Sequence, residues 1–194
     1  MRMKKLDVAS LSRQVGLMDG ILVLRPIAKK MFELSQTSLG GLMSDDIVIC
    51  DLKDIIDCSS SFVDEFLLTW QRAICELKNT MMILTNMNED VQYTVESALN
   101  QRNRISNENL TLISYVNGHF EALGNKLEKN TRQVFELVSE GSHISVREVA
   151  ERFDLELNSA GNRLKKLYDA HAVIRIEQSA DAGGKFEYYI PSIE

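Results

Sequence analysis

Between residues 46 and 116 short apolar runs alternate with longer helical patterns, and that alternation leaves few folds open. Asp46-Ile-Val-Ile-Cys-Asp51 and Met81-Met-Ile-Leu-Thr85 are brief, almost wholly apolar and bounded by polar residues, the character of buried strands. Between them Phe62, Val63, Phe66, Leu67, Trp70, Ala73, Ile74 and Leu77 recur at helical spacing and give one wide apolar face. Asn88 stands where it caps a further helix, whose Val91, Val95 and Leu99 lie four apart. Residues 110–116 make another apolar strand, expected to close the sheet. Upstream, Asp19-Gly20 between residues 15–18 and 21–24 predicts a tight hairpin, because that pair supplies the positive φ angles of a two-residue turn. Pro26 then opens a helix that turns Ile27, Met31 and Leu34 inward. Strands alternating with helices predict an α/β layer, a mixed sheet with covering helices.

The pattern changes at the stretch 117–126, which carries two glycines and two asparagines. Three short helical patterns in series follow it. The expected organisation is a domain over 1–118, a linker over 119–129 and a second domain over 130–194.

Bulk properties narrow the function. The 194 residues carry a net charge of −6, which excludes a protein that coats nucleic acid or anionic membranes by overall charge. No apolar run approaches the roughly 20 residues that a bilayer needs, and no signal-peptide core follows the N-terminal Met-Arg-Met-Lys-Lys. The expected location is the cytoplasm, away from membranes. Cys50, Cys58 and Cys75 lack CxxC spacing and read as reduced, buried thiols, and the methionines read as core filler. There is no phosphate-cradling glycine loop, no HExxH and no nucleophile elbow, and His119, His143 and His171 stand isolated beside turns or helix ends. Neither a catalytic residue, a metal site nor a cofactor is expected, and the chain reads as non-enzymatic.

One local feature stands out. Cys58-Ser59-Ser60-Ser61-Phe62 lies where the long apolar-faced helix begins. One hydroxyl there caps the helix and the others fill the turn. The same helix start would also tolerate a phosphate, and a phosphate would sit beside Asp57, Asp64 and Glu65, suiting a repulsive switch on a docking surface. The run Ile47-Val-Ile-Cys-Asp-Leu-Lys-Asp-Ile-Ile-Asp-Cys-Ser-Ser-Ser-Phe-Val-Asp-Glu-Phe66 resembles the STAS-like domains, with flanking blocks at residues 22–29 and 86–91; the likeness covers about residues 15–115. STAS domains proper are the anti-sigma factor antagonists, which dock on a histidine-kinase-like ATPase and are phosphorylated on a Ser or Thr at this helix start. The resemblance therefore implies a protein-docking surface around Ser59, Ser60, Ser61, Asp64 and Glu65, with Ser60 on the phosphorylated hydroxyl. Where the antagonists continue with a Gly-rich turn, this chain has Phe62-Val63-Asp64.

In the second domain Asn130-Thr131 starts a helix carrying Val134, Phe135 and Val138, and Ser145-Val-Arg-Glu148 has capping-box spacing before Val149, Ala150 and Phe153. A third helix begins at Asn158 or Ser159 and turns Ala160, Leu164 and Leu167 inward. The runs 172–177 and 186–190 flank a polar loop with Gly183-Gly184 and predict a β-hairpin. Residues 144–154, 159–167 and 172–175 resemble the winged helix-turn-helix superfamily over nearly the whole domain. In such proteins the second helix of the pair enters the DNA major groove. On that helix Ser159, Asn162, Arg163 and Lys166 share the exposed side, and Lys185 on the wing could touch the DNA backbone.

Charge opposes this reading. From residue 125 to the end there are ten Lys or Arg and twelve Asp or Glu, whereas DNA-binding domains are usually basic. Two hypotheses stand. In the first the chain is a DNA-binding transcriptional regulator, homodimeric if its operator is palindromic, whose STAS-like domain docks a partner such as a histidine-kinase-like ATPase. In the second it is a protein-interaction module of a partner-switching system, and the winged helix also contacts protein or dimerises.

Overall fold

The computed structural model describes residues 1–124, 126–141, 143–178 and 185–193. The chain opens with β1 (Arg2–Asp7) and α1 (Val8–Gln14), then β2 (Ile21–Leu22), α2 (Arg25–Leu39), β3 (Asp46–Asp51) and β4 (Asp57–Cys58). Next come α3 (Ser60–Glu65), α4 (Leu67–Cys75), β5 (Met81–Thr85), α5 (Glu89–Ser106), β6 (Leu112–Val116) and β7 (His119–Leu123). The remainder holds α6 (Lys129–Ser139), β8 (Ile144–Ser145), α7 (Val146–Phe153), α8 (Leu157–Asp169), β9 (Ile174–Glu177) and β10 (Phe186–Tyr189).

The main sheet runs β1-β3-β5-β6-β7 and is mixed: the first four strands are parallel and β7 is antiparallel to β6. Because strand side chains alternate between faces, Val48, Cys50, Met82, Leu84 and Leu112 join one core with α1 to α5, built on Phe62, Phe66, Trp70, Val91 and Leu99. Ile47, Met81, Ile83 and Ile113 point the other way. They join a second core with Val134, Phe135 and Val138 of α6 and with Leu164 and Leu167 of α8. The C-terminal segment therefore covers the sheet face that α1 to α5 leave bare. Polar bonds fasten it there: Arg132 donates to the carbonyls of Ala122 and Gly124, both at 2.7 Å, and the Arg175 N–H donates to Asn79 Oδ1 at 2.8 Å. His171 Nδ1 lies 2.6 Å from the Thr80 carbonyl oxygen.

Within that segment β8, β10 and β9 form a three-stranded antiparallel sheet beside three helices. Ser145 caps α7 in a capping box with Glu148. The third helix begins slightly earlier than expected, after Glu156, and α6 begins after Glu128 rather than at Asn130 or Thr131; neither glutamate makes a side-chain capping bond. The loop expected at 179–184 lies outside the described residues.

Several expectations need correction. The stretch 119–123, expected within a linker, is the fifth strand of the sheet, and Leu112–Val116 does not close it. Asn117 (φ 52°) and Gly118 (φ 85°) both hold positive φ and form the tight turn between β6 and β7. The expected hairpin at Asp19-Gly20 is absent, because the run after it pairs with a distant strand. Ile21–Leu22 lies parallel to Asp57–Cys58, and the Gly20 carbonyl accepts the Ile56 N–H at 2.9 Å. A Cβ at Gly20 would stand 2.5 Å from the Asp54 carbonyl oxygen, so the glycine serves this close approach. The single helix expected after the serines is broken at Phe66 (φ −103°, ψ −68°), where the Thr69 hydroxyl donates to the Asp64 carbonyl and inserts a side chain into the ladder. Cys50 and Cys58 are buried, but Cys75 is exposed. Of the methionines, Met31, Met81, Met82 and Met87 fill the core while Met1, Met3, Met18 and Met43 are exposed.

Candidate functional site: two faces of the molecule

The serine cluster sits where β4 turns into α3. Ser59 is the cap: its Oγ accepts the Phe62 N–H at 3.2 Å and lies 3.0 Å from Ser61 Oγ. Ser60 is exposed and Ser61 half-buried. The helix that follows holds Asp64 among three arginines from three other helices. Arg102 Nε of α5 donates to it at 2.7 Å, Arg25 Nη1 of α2 at 3.1 Å, and Arg72 Nη2 of α4 lies 3.9 Å away. Arg25 also reaches Glu65 at 3.3 Å, and Arg72 pairs with Glu108 at 3.0 Å. Burial alone would raise the Asp64 carboxyl; hydrogen bonds from Arg102 and Arg25 outweigh it and hold the group below the usual carboxylate range.

An open cavity of about 360 Å³ lies over this hub, lined by Arg25, Ser60, Ser61, Asp64, Gln101 and Arg102. The expected surroundings of a phosphate on these serines were purely acidic. The structure corrects that: two guanidinium groups share the cavity, and Asp64 is already neutralised. No local pattern pointed to Arg25, Arg72 and Arg102, since each is distant in sequence from the serines or lies on another helix.

Several apolar side chains are exposed on the segments that lead into the corner. Met18, Ile21, Val23 and Leu24 on the chain through β2, with Ile56 just before β4, are 37–80% exposed. The Ile56 N–H on Gly20 O and the pairing of β2 with β4 hold the two segments together, in a register that turns Ile21 and Asp57 to one face and the buried Leu22 and Cys58 to the other.

The second face belongs to α8. Ala160, Leu164 and Leu167 are fully buried, as expected. Asn158, Asn162, Lys165 and Lys166 are exposed, while Ser159 and Arg163 are half-buried on the flank. Both lysines have partners: Lys166 lies 3.1 Å from Glu128 at the start of α6, and Lys165 pairs with Asp169 one turn on. Among the described residues Arg163 makes no ion pair. Lys185 is exposed, with its ammonium 5.1 Å from the Phe186 ring centre. Arg175 is not free to touch a ligand, because its guanidinium lies 4.0 Å from the ring centres of both Tyr168 and Phe186 and ties β9 to α8 and β10. The exposed arc thus retains the expected polar types, but its cationic stripe is largely balanced by carboxylates.

No helix among the described residues is long and apolar enough to cross a membrane. No family model, no curated protein and no solved structure matches the chain.

Proposed function

We propose that the chain is a non-enzymatic regulator, a STAS-like α/β layer carrying a winged helix-turn-helix, and that it acts by docking a protein partner at the corner formed by Ser59, Ser60, Ser61, Asp64 and Glu65. The observation that supports this reading is the open cavity at that corner, lined by exposed Ser60 and by Ser61, whose charged groups Asp64, Arg25 and Arg102 are already paired. A histidine-kinase-like ATPase is the partner class that the sequence resemblance implies. A phosphate on Ser60 would lie within the cavity that Arg25 and Arg102 line, and would compete with Asp64 for them. Ile56→Glu places a charge on the exposed surface where the chain enters β4 and the serine corner, without touching the core, and is expected to abolish the partner that co-purifies with the wild-type chain, with an unchanged thermal midpoint. Equal recovery of the same partner by both chains refutes the corner as the docking site.

A second reading assigns DNA to α8 and the hairpin. What favours it is the wholly polar character of the exposed arc, since Asn158, Asn162, Lys165 and Lys166 offer little to an apolar protein contact. The two lysine pairs are solvent-exposed and of the kind worth at most about 1 kcal/mol, so a phosphate could displace either carboxylate. On this reading Ser159, Asn162, Arg163, Lys166 and Lys185 meet the duplex, and a palindromic site would engage two copies. Duplexes selected from a random pool are expected to bind with a steep salt dependence. Arg163→Ala should weaken the selected site by about 1–3 kcal/mol. Selection that yields no enriched duplex leaves the polar face as a protein contact.

A further inference from the structure

The first turn of α6 leaves a buried hydroxyl without a partner. Thr131 is 2% exposed, and its side chain makes no hydrogen bond among the described residues. Buried polar groups are rarely left in that state. The side-chain atoms sealed from solvent without a partner are, among the described residues, Gln71 Oε1, Ser114 Oγ and Gln178 Oε1. Thr131 Oγ1 is not one of them, so the little surface that the residue keeps includes its hydroxyl. That surface opens into a cavity of about 390 Å³, which Thr131 lines.

The helix start beside it is open as well. Glu128 precedes α6 without a side-chain capping bond, and no acidic residue stands in the first turn. The Lys129 and Asn130 N–H groups have no partner among the described residues. The positive end of an eleven-residue helix is therefore left uncompensated.

The cavity joins three parts of the molecule. Asn109 and Thr111 ahead of β6 form one wall, the start of α6 another, and Lys166, Asp169 and Ala170 at the end of α8 the third. Lys126 lines it too, half-buried and without an ion pair among the described residues. Lys166 is held 3.1 Å from Glu128, whose side chain is 71% exposed, and a pair so open to water yields readily to a ligand. Asp169 is already paired with Lys165. Two ammonium groups, one hydroxyl and the open end of a helix favour a dianion with three oxygens to share among them. A planar carboxylate uses fewer of these donors. Leu127 and Ala170 are the apolar residues of the lining, so an apolar ligand gains little here.

We infer that this cavity binds a phosphate group, free or carried by a small polar molecule, with Thr131 Oγ1, Lys126 Nζ and Lys166 Nζ as its donors. Occupancy takes Lys166 from Glu128 and ties the end of α8 to α6 and to the segment ahead of β6. The site is separate from the serine corner and stands whether or not a partner docks there.

The test is calorimetric titration and thermal unfolding of the full chain with glycerol 3-phosphate, inorganic phosphate and malate at matched ionic strength. At least one phosphate is expected to bind saturably and to raise the thermal midpoint, and malate is not. Tighter binding of the ester assigns the site to a carried phosphate, and tighter binding of inorganic phosphate to the free ion; both support the inference. Lys126→Met and Thr131→Val should each weaken the better phosphate about tenfold or more. Thr131→Val should keep the unliganded midpoint level or raise it, because the hydroxyl has no partner to lose. Lys129→Met removes the same charge from a position close by but outside the lining, and should leave affinity nearly unchanged. Absence of saturable binding by both phosphates overturns the inference, as does equal binding of malate. Equal weakening by Lys126→Met and Lys129→Met overturns it too, since overall charge would then be acting, and that pair decides even where Thr131→Val lowers the midpoint.

Discussion

Phe135→Ala is expected to lower the stability of the whole chain by about 3–5 kcal/mol, and to do so in the signal of a residue on the opposite side of the sheet. Phe135 is buried on α6, in the core that also contains Ile47, Met81, Ile83 and Ile113 of the main sheet. Trp70, the sole tryptophan, is buried on α4 in the other core, where its indole N–H donates to Ser35 Oγ at 3.0 Å. Those four sheet residues are fully buried because the C-terminal segment covers them, and burying each such side chain stabilises by about 1.5–3 kcal/mol. Loosening α6 therefore withdraws support from the sheet itself. Urea unfolding followed by Trp70 fluorescence and by far-ultraviolet circular dichroism should give coincident midpoints, both shifted down by about 1–2.5 M if the slope is near 2–3 kcal/mol per M. A Trp70 midpoint that stays in place while the dichroism gains an earlier step would show two units that unfold separately, and the shared core would then contribute nothing to the α/β layer.

That shared core marks where reading the sequence reached and where it stopped. The runs 46–51 and 81–85 were legible as strands, and their unbroken apolarity means that both faces are covered. What covers the second face was not legible, because the complementary residues begin at Val134, many positions later and on helices that look self-sufficient. Local chemistry was legible at three helix starts: Asn88 and Ser145 cap the helices expected of them, and one hydroxyl of the serine cluster, that of Ser59, caps α3, since a cap depends on a hydrogen bond three residues away. The first strand escaped notice because Arg2, Lys4 and Lys5 make it look like a solvated terminus. Arg2 and Lys4 lean on the buried Asp46, Lys5 pairs with Asp51 at the strand's end, and the Lys4 ammonium also caps the carbonyl of Leu39. On α8 the inward residues followed from periodicity alone. The carboxylate facing Lys166 did not, because Glu128 belongs to another helix start.

Asp64→Ala should have the next largest effect, about 2–3 kcal/mol at neutral pH. Deleting one partner of a buried ion pair typically costs about 3–5 kcal/mol because the other charge is stranded. Here Arg25, Arg72 and Arg102 are each roughly one-third to one-half exposed, so water recovers part of the loss. The effect also has a pH signature. The carboxyl is held below its ordinary value in the folded chain, so its stabilisation is complete above about pH 4, where the unfolded carboxyl is ionised, and disappears as pH falls through the lower folded value. For Asp46 and Asp51, too, burial pushes the carboxyl up and is outweighed, by hydrogen bonds from Arg2 and from Asn86 and Lys5, so acid weakens the wild type at three places. The stability gap between wild type and Asp64→Ala, measured by urea unfolding, should therefore narrow from pH 7 to about pH 3. A gap that is equal at both pH values would mean that the side chain acts by packing rather than by charge. A narrowing gap would make the arginines around α3 an electrostatic clamp on α2, α4 and α5. A phosphate introduced at Ser60 could then redistribute that clamp without moving the core beneath it.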